Sequence, residues 1–307
     1  MEDFVHLHVH TNYSILDGQS KVTRLVDKAI ADGMKGMAIT DHGVMFGIKE
    51  FSDYCAKINK ERKAKGEEPF KPIFGCEMYV ARRSMHDKEK DKHDNSGYHL
   101  IVLAKNYNGY KNLIKLVSHA WVDGYYYKPR TDREELEKYH EDLIVCSACI
   151  AGEVPNKIIR GDIEGAREAC EWYHRVFGDD YYLELQRHEV KDPTLVANRE
   201  AYPLQQKANK VLMQFAKEYG VKLVCTNDCH FEDKETAEAH DHLLCLSTNE
   251  DLDDPKRMRY SKQEWFKTRQ EMNEVFSDVP EAMANTLEIL DKIETYSIDH
   301  GPIMPFF

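Results

Sequence analysis

Residues 4–18 read FVHLHVHTNYSILDG. In an extended chain, side chains two apart share a face, so His6, His8 and His10 point one way and Val5, Leu7 and Val9 the other. Such an alternation has two readings. One is a surface strand with its polar residues outward; the other is an edge of neutral imidazoles offered to a transition metal. What decides between them lies downstream.

A chain of 307 residues, 42% of them hydrophobic, has the apolar material for one large α/β barrel or two ordinary domains. Its net charge of -12 argues against a general polyanion-binding surface, because phosphate-backbone affinity comes from Lys and Arg. Any nucleic acid must therefore meet a local patch or a metal. No apolar run approaches about 18 residues and the chain opens without a signal-peptide pattern, so a cytoplasmic protein without membrane contact is expected. The eight Cys are scattered and should be reduced thiols. Cys146 and Cys149 form a CxxC and Cys225 and Cys229 a looser pair, whereas a zinc ribbon has two tight knuckles, which leaves a four-Cys structural site the weaker reading.

Outward from the opening stretch, helix and strand alternate. Apolar periodicity predicts helices over 20–31, 46–63, 108–121, 163–177, 199–219, 234–247 and 281–292. Short apolar runs predict strands over 36–40, 71–80, 99–104, 143–147, 181–186 and 222–230. The charged stretch 82–97 has no period and reads as a surface loop. This alternation favours a parallel sheet with covering helices, closed as a barrel. A single domain is expected over 1–293, with 294–307 as the start of a linker.

The chemistry-bearing residues are placed systematically. His8, His10, Asp41, His42, Cys149, Asp228 and His230 fall at or just past the C-terminal ends of expected strands, and Glu77 lies late in its own. In a β/α barrel those ends converge on one face, where active sites are built. Packing alone is a poor explanation, since buried carboxylates are costly unless paired or metal-bound. Imidazoles, carboxylates and one thiolate suit zinc, manganese or iron better than magnesium or calcium. So many donors exceed what one ion can take and fit two or three, an arrangement that hydrolyses phosphoesters with activated water. The aromatic loop Gly124–Arg130, with YYYKPR at 125–130, should lie beside this site and touch substrate DNA or a neighbouring domain, its tyrosines offering stacking surfaces and Lys128 and Arg130 phosphate contacts, or else be a packed turn before a helix.

These residues resemble a known family. The HxHT near the start, the ITDHG turn, the late Glu, a later His and the closing Asp-x-His are similar to the PHP (polymerase and histidinol phosphatase) superfamily of metal-dependent phosphoesterases. HLHVHTNYSILDG, AITDHGVMFG, HLIVLAKNYNGYKNL, GYYYKPRTDREEL, CSACIAGEVP, TNDCHF, FKTRQEM and ANTLEI narrow the match to the N-terminal PHP domain of bacterial replicative DNA polymerase III alpha subunits. The resemblance implies a distorted seven-stranded TIM-like β/α barrel. It also implies nine metal ligands: His8, His10, Asp17, His42, Glu77, His99, Cys149, Asp228 and His230. Of these His10, Glu77 and Asp228 would be central to catalysis, and Asp41 would orient a ligand His from behind. Asp17 and Cys149 stand where other members often use His. His6 stands where many have Asp and is read as a buried neighbour.

Members with all nine ligands are similar to 3′–5′ exonucleases acting on a DNA primer end. Others use the domain as a catalytically silent platform for the polymerase and a proofreading subunit. The intact ligands favour chemistry, and the acidic balance favours the platform. The segments 98–135 and 261–289 argue against a free-standing histidinol-phosphate phosphatase.

Overall fold

The computed structural model describes residues 2–190, 200–302 and 304. Seven strands form one curled sheet: β1 (Gly36–Ile39), β2 (Lys71–Ala81), β3 (Gly97–Ala104), β4 (Arg130–Thr131), β5 (Leu143–Cys146), β6 (Tyr181–Leu185) and β7 (Lys222–Cys225). Their order is β1-β2-β3-β5-β6-β7, with β4 paired to β2. Residues 4–10 close the curl. On one side Ala38 N–H donates to His6 C=O and Thr40 N–H to Val9 C=O, both at 2.8 Å. On the other His10 N–H donates to Cys229 C=O at 2.7 Å and Cys229 N–H to His8 C=O at 3.1 Å. The result is a distorted TIM-like β/α barrel.

Two features depart from the expected architecture. The opening stretch is extended but is not a regular strand. Its carbonyls at 6 and 9 serve amides at 38 and 40, so three steps on one side match two on the other, as in a bulge. Val5, Leu7 and Val9 are nonetheless fully buried in the apolar core. The sheet is also not all parallel, because β3 runs antiparallel to both β2 and β5. A reversed strand presents its first residues, not its last, at the face where the other strands end.

The segment expected as a surface loop at 82–97 is such a loop, with one short 3-10 turn, tied down as a flap. Asp94, fully buried, accepts from Arg83 at 2.5 Å, and its backbone carbonyl is taken by Arg130. Helices not expected from the sequence occupy Glu153–Arg160 and Arg269–Val275. The expected helix beginning at Arg199 is described over Ala201–Tyr219; Arg199 itself lies outside the described residues. Past residue 293 the chain stays on the barrel: Glu294 N–H donates to Lys105 C=O at 2.8 Å, and Tyr296 meets Phe74 edge-on at 5.5 Å. Positions 303 and 305–307 of the expected linker lie outside the described residues. Among the described residues, no helix is long and apolar enough to cross a membrane.

His6 belongs to this packing. Its Nε2–H donates to Lys267 C=O at 2.8 Å, and its ring lies against Phe4 and Phe266 with centroids 4.8 and 4.1 Å away. Burial pushes its pKa down to about 3, against the pull of the Lys267 carbonyl. In the unfolded chain the same group titrates at about 6.5. As pH falls below that value the unfolded state takes up a proton that the folded state refuses, and stability drops by up to about 1.4 kcal/mol per pH unit. Urea unfolding of His6→Asn at pH 7 and pH 5 should therefore show a loss smaller than the wild type's by about 2 kcal/mol. An identical loss would mean that His6 is not held neutral.

Candidate metal centre

Glu77 anchors the site from within β2. Its Oε1 lies 2.8 Å from His99 Nδ1 and 3.3 Å from His8 Nε2, while its Oε2 lies 2.6 Å from His42 Nδ1 and 3.4 Å from His10 Nε2. Asp228 faces it from just past β7, with Oδ1 at 3.0 Å from His8 Nε2, 3.3 Å from His10 Nε2 and 3.5 Å from His230 Nδ1. Asp17 closes the outer side, with Oδ2 at 2.7 Å from His42 Nε2 and 3.4 Å from His230 Nε2. Cys149 stands at the edge, its Sγ 3.7 Å from His99 Nδ1. The fold thus brings all nine sequence-predicted donors into one continuous cluster. Among the described residues, three triplets have donor atoms within 4.8 Å of one another: His8, His10 and Asp228; His10, His42 and His230; His42, Glu77 and His99.

His99 reaches the cluster only because β3 is reversed: it sits near the start of that strand, opposite Tyr79 of β2. Asp228 adopts a φ of +49°, a left-handed conformation that Asp tolerates better than most residues and that a site can hold under strain.

Whether these residues suit a cation can be read from their unsatisfied atoms. His8 Nε2, His10 Nε2, His42 Nδ1, Glu77 Oε2 and Asp228 Oδ1 are buried, face one another and have no partner in hydrogen-bonding geometry. Buried polar atoms are almost always paired, so five convergent orphans call for a guest with several acceptors around it. Charge points the same way. Burial would keep the imidazoles neutral, yet Glu77 and Asp17 push His42 up to about 10, and Asp17 with Asp228 push His230 up to about 9. Asp228, Glu184 and Glu77 likewise raise His8 against the burial that opposes it. Burial works against ionised carboxyls, but surrounding imidazoles hold Glu77 and Asp228 well below the usual range. The cluster is an anionic pocket that demands positive charge, and its imidazole, carboxylate and thiol donors are those of a transition-metal site.

Supporting residues fix the donors. Asp41 acts through a relay and not directly: its Oδ1 accepts from Ser14 Oγ at 2.7 Å, and that hydroxyl lies 2.9 Å from His10 Nδ1. Asp41 also accepts the Thr11 amide at 2.7 Å, which pins the chain between His10 and Ser14. His8 Nδ1 is held by Glu184 Oε1 at 2.7 Å, and the same oxygen accepts from Thr226 and Gln186. Sequence reasoning missed Glu184, although the signal that found Glu77, a carboxylate inside an apolar strand, is present in YYLELQ. Such partners set tautomer and basicity of a ligand His. Glu184→Gln should weaken zinc or manganese binding by about 10-fold or more in calorimetric titration, with the circular dichroism spectrum retained. Unchanged affinity would reduce Glu184 to a packing role.

The two basic residues of the aromatic loop part company. Lys128 is exposed at the mouth of the cluster, its Nζ 5.3 Å from the centre of the Tyr79 ring. Arg130 is fully buried, and the expected DNA contact must be withdrawn for it. Its guanidinium donates to the carbonyls of Gly124, Asp94, Met85 and Asp87 at 2.7–3.0 Å, which uses four of its five N–H groups, and its full burial keeps it from meeting a phosphate. The Cys pairs do not assemble either: Cys229 sits by His6, Cys225 by Met283 and Cys149 by His99.

A barrel with clustered imidazole, carboxylate and thiol donors at one end has the make-up of a metal-binding α/β protein, and the sequence identifies the class: residues 6–188 match the PHP domain family, to which the chain belongs. Along nearly its whole length it is similar to DNA polymerase III subunit alpha. It is 41% identical to that of Borreliella burgdorferi over 304 residues, covering 98% of this chain and 25% of the relative. It is 39% identical to that of Treponema pallidum over 306 residues, covering 99% and 24%. The chain therefore spans about a quarter of the length of these relatives. A likeness in shape to histidinol phosphate phosphatase of Lactococcus lactis, crystallised with zinc, L-histidinol and phosphate, covers 86% of this chain and 99% of that one, at 14% identity and a TM-score of 0.35.

Proposed function

We propose that the chain is the PHP domain of a bacterial replicative DNA polymerase alpha subunit, working in the cytoplasm, and that its cluster is a phosphodiesterase that removes nucleotides from the 3′ end of DNA. The observation that carries this reading is the convergence of five orphaned buried donor atoms from His8, His10, His42, Glu77 and Asp228. Two or three zinc, manganese or iron ions, held by those residues with Asp17, His99, Cys149 and His230, would supply activated water and positive charge for the phosphate oxygens. The chain's own groups do the remaining work. Ser14 and Glu184 set the rings of His10 and His8 so that each Nε2 faces inward. Lys128 at the mouth offers an exposed, flexible cation that would draw in a phosphodiester. Further partners on this reading are the DNA primer, the remaining polymerase domains and a proofreading subunit.

The test uses the purified chain loaded with zinc or manganese and a single-stranded oligonucleotide labelled at its 5′ end. Progressive shortening from the 3′ end, abolished by chelator, is expected. Full-length DNA in the presence of a fully loaded centre would leave the second reading, a metal-stabilised platform. One observation favours that platform: Ile114, Trp121 and Val122 are exposed along the helix Tyr107–Val122 and line an apolar groove of about 400 Å³ with Val44 and Phe46.

A further inference from the structure

A cleft of about 570 Å³ opens directly over the cluster. Asp17, His42 and His99 line it from below, and Trp121, Tyr125 and Tyr127 wall it above. These three rings remain 43%, 47% and 57% exposed. Large aromatic faces left in water at the mouth of a site mark it for a ligand with apolar, flat surfaces.

The wall is built rigidly. Trp121 and Tyr125 stack with centroids 5.5 Å apart and planes 20° from parallel. The Trp121 indole N–H donates to Gly43 C=O at 2.8 Å, which ties the wall to the turn that carries His42. The loop folds back on itself tightly: a Cβ on Gly124 would stand 1.8 Å from the Arg130 carbonyl oxygen, and Tyr127 is held at a φ of +62°. Arg130 clips the base of this loop to the flap, so the rings are positioned before any ligand arrives. Lys128 sits between the wall and the donors, against Tyr79.

We propose that Trp121, Tyr125 and Tyr127 form a base-stacking subsite that receives the unstacked terminal nucleotides of a single strand while the adjoining phosphodiester reaches the cluster. The inference rests on the phosphodiesterase reading above and supplies its substrate class. A nucleobase offers a π-face to such a wall whatever its sequence, and stacking of this kind discriminates by roughly 5- to 150-fold per base. In a duplex end each base is paired and stacked on its neighbour, so only the outer face of the last pair is open, and bringing one base into the cleft costs unpairing and unstacking. The cleft volume falls within the range of about 300–1,000 Å³ typical of small-ligand sites, the size class of a nucleotide and not of a double helix.

Two measurements test this. The first follows intrinsic fluorescence in the presence of chelator. Of the three Trp, Trp172 and Trp265 are buried, so quenching by a short oligothymidylate reports on Trp121. Single strands should quench, and a blunt duplex of the same length should not. The second compares two chromogenic diesters on the metal-loaded chain, thymidine 5′-phosphate p-nitrophenyl ester and methyl p-nitrophenyl phosphate. Each consumes one water and releases p-nitrophenolate. The wild type should prefer the base-bearing ester in kcat/KM, and the Tyr125→Ala, Tyr127→Ala double variant should lose about 10-fold or more of that preference. Hydrolysis of neither ester would defeat the phosphodiesterase reading alone, and the fluorescence would then decide: quenching by single strands only upholds the subsite. Absence of quenching, equal quenching by duplex, or an undiminished preference in the double variant overturns it.

Discussion

In the proposed phosphodiesterase, Asp228→Ala and His10→Ala should each lower hydrolysis of a single-stranded DNA 3′ end by more than about 100-fold, the upper range for residues that only support a ligand. Asp228 lies against three imidazoles and His10 against both central carboxylates, so either change removes a donor from the middle of the cluster. The fold should survive, because both side chains face the cluster and not the apolar core. Cys149→His, by contrast, will retain activity within about 10-fold, since imidazole is an equivalent donor for the metals concerned. Cys149 stands at the edge of the cluster, and burial together with Asp228 and Glu77 pushes its thiol well above the ordinary value. A thiol so placed is no nucleophile on its own, and bound to a cation it is a poor one. A dead Cys149→His beside a fully active His10→Ala would contradict this ordering.

Arg130→Ala will destabilise the chain by about 3 kcal/mol or more, because it strips four backbone carbonyls of a charged donor and leaves those that stay buried unpaired. Those bonds are what fasten the aromatic loop to the flap at 82–97, and the Tyr126 ring, 5.6 Å from the guanidinium, loses its cation as well. Lysine will not substitute, since a single ammonium cannot span acceptors arranged around a planar fork. Lys128→Ala should change stability by less than about 0.5 kcal/mol, as an exposed position with no such bonds. Urea unfolding of the two variants side by side checks both statements. A loss below about 1 kcal/mol for Arg130→Ala would mean that the loop is held by something else.

The misreading of Arg130 shows where sequence stops being informative. An Arg in a tyrosine-rich loop has the composition of a phosphate contact, and only the fold reveals that carbonyls from residues 85, 87 and 94 have claimed it. The strand-end donors were legible because acids and imidazoles following apolar runs are conspicuous, and a barrel gathers such ends on one face. His99 breaks that rule. It lies near the start of its strand, and its place in the cluster depends on the reversal of β3, which is set by the long antiparallel pairing of residues 75–81 with 97–103. Strand direction leaves no mark on an apolar run. Other misses were avoidable: Thr268 and Glu271 form a capping box at the start of the helix Arg269–Val275, a signature visible in FKTRQEM. The relay from Asp41 through Ser14 to His10 was not visible, since it needs the turn that follows His10 to bring a hydroxyl back over the ring.

We propose that the converging side chains hold two or three metal ions. Elemental analysis of the chain purified without chelator, with protein quantified by amino-acid analysis, is the test. Two to three equivalents of zinc, manganese or iron per chain are predicted, falling in the Asp228→Ala variant. Less than one equivalent in the wild type, unchanged by that substitution, would contradict it.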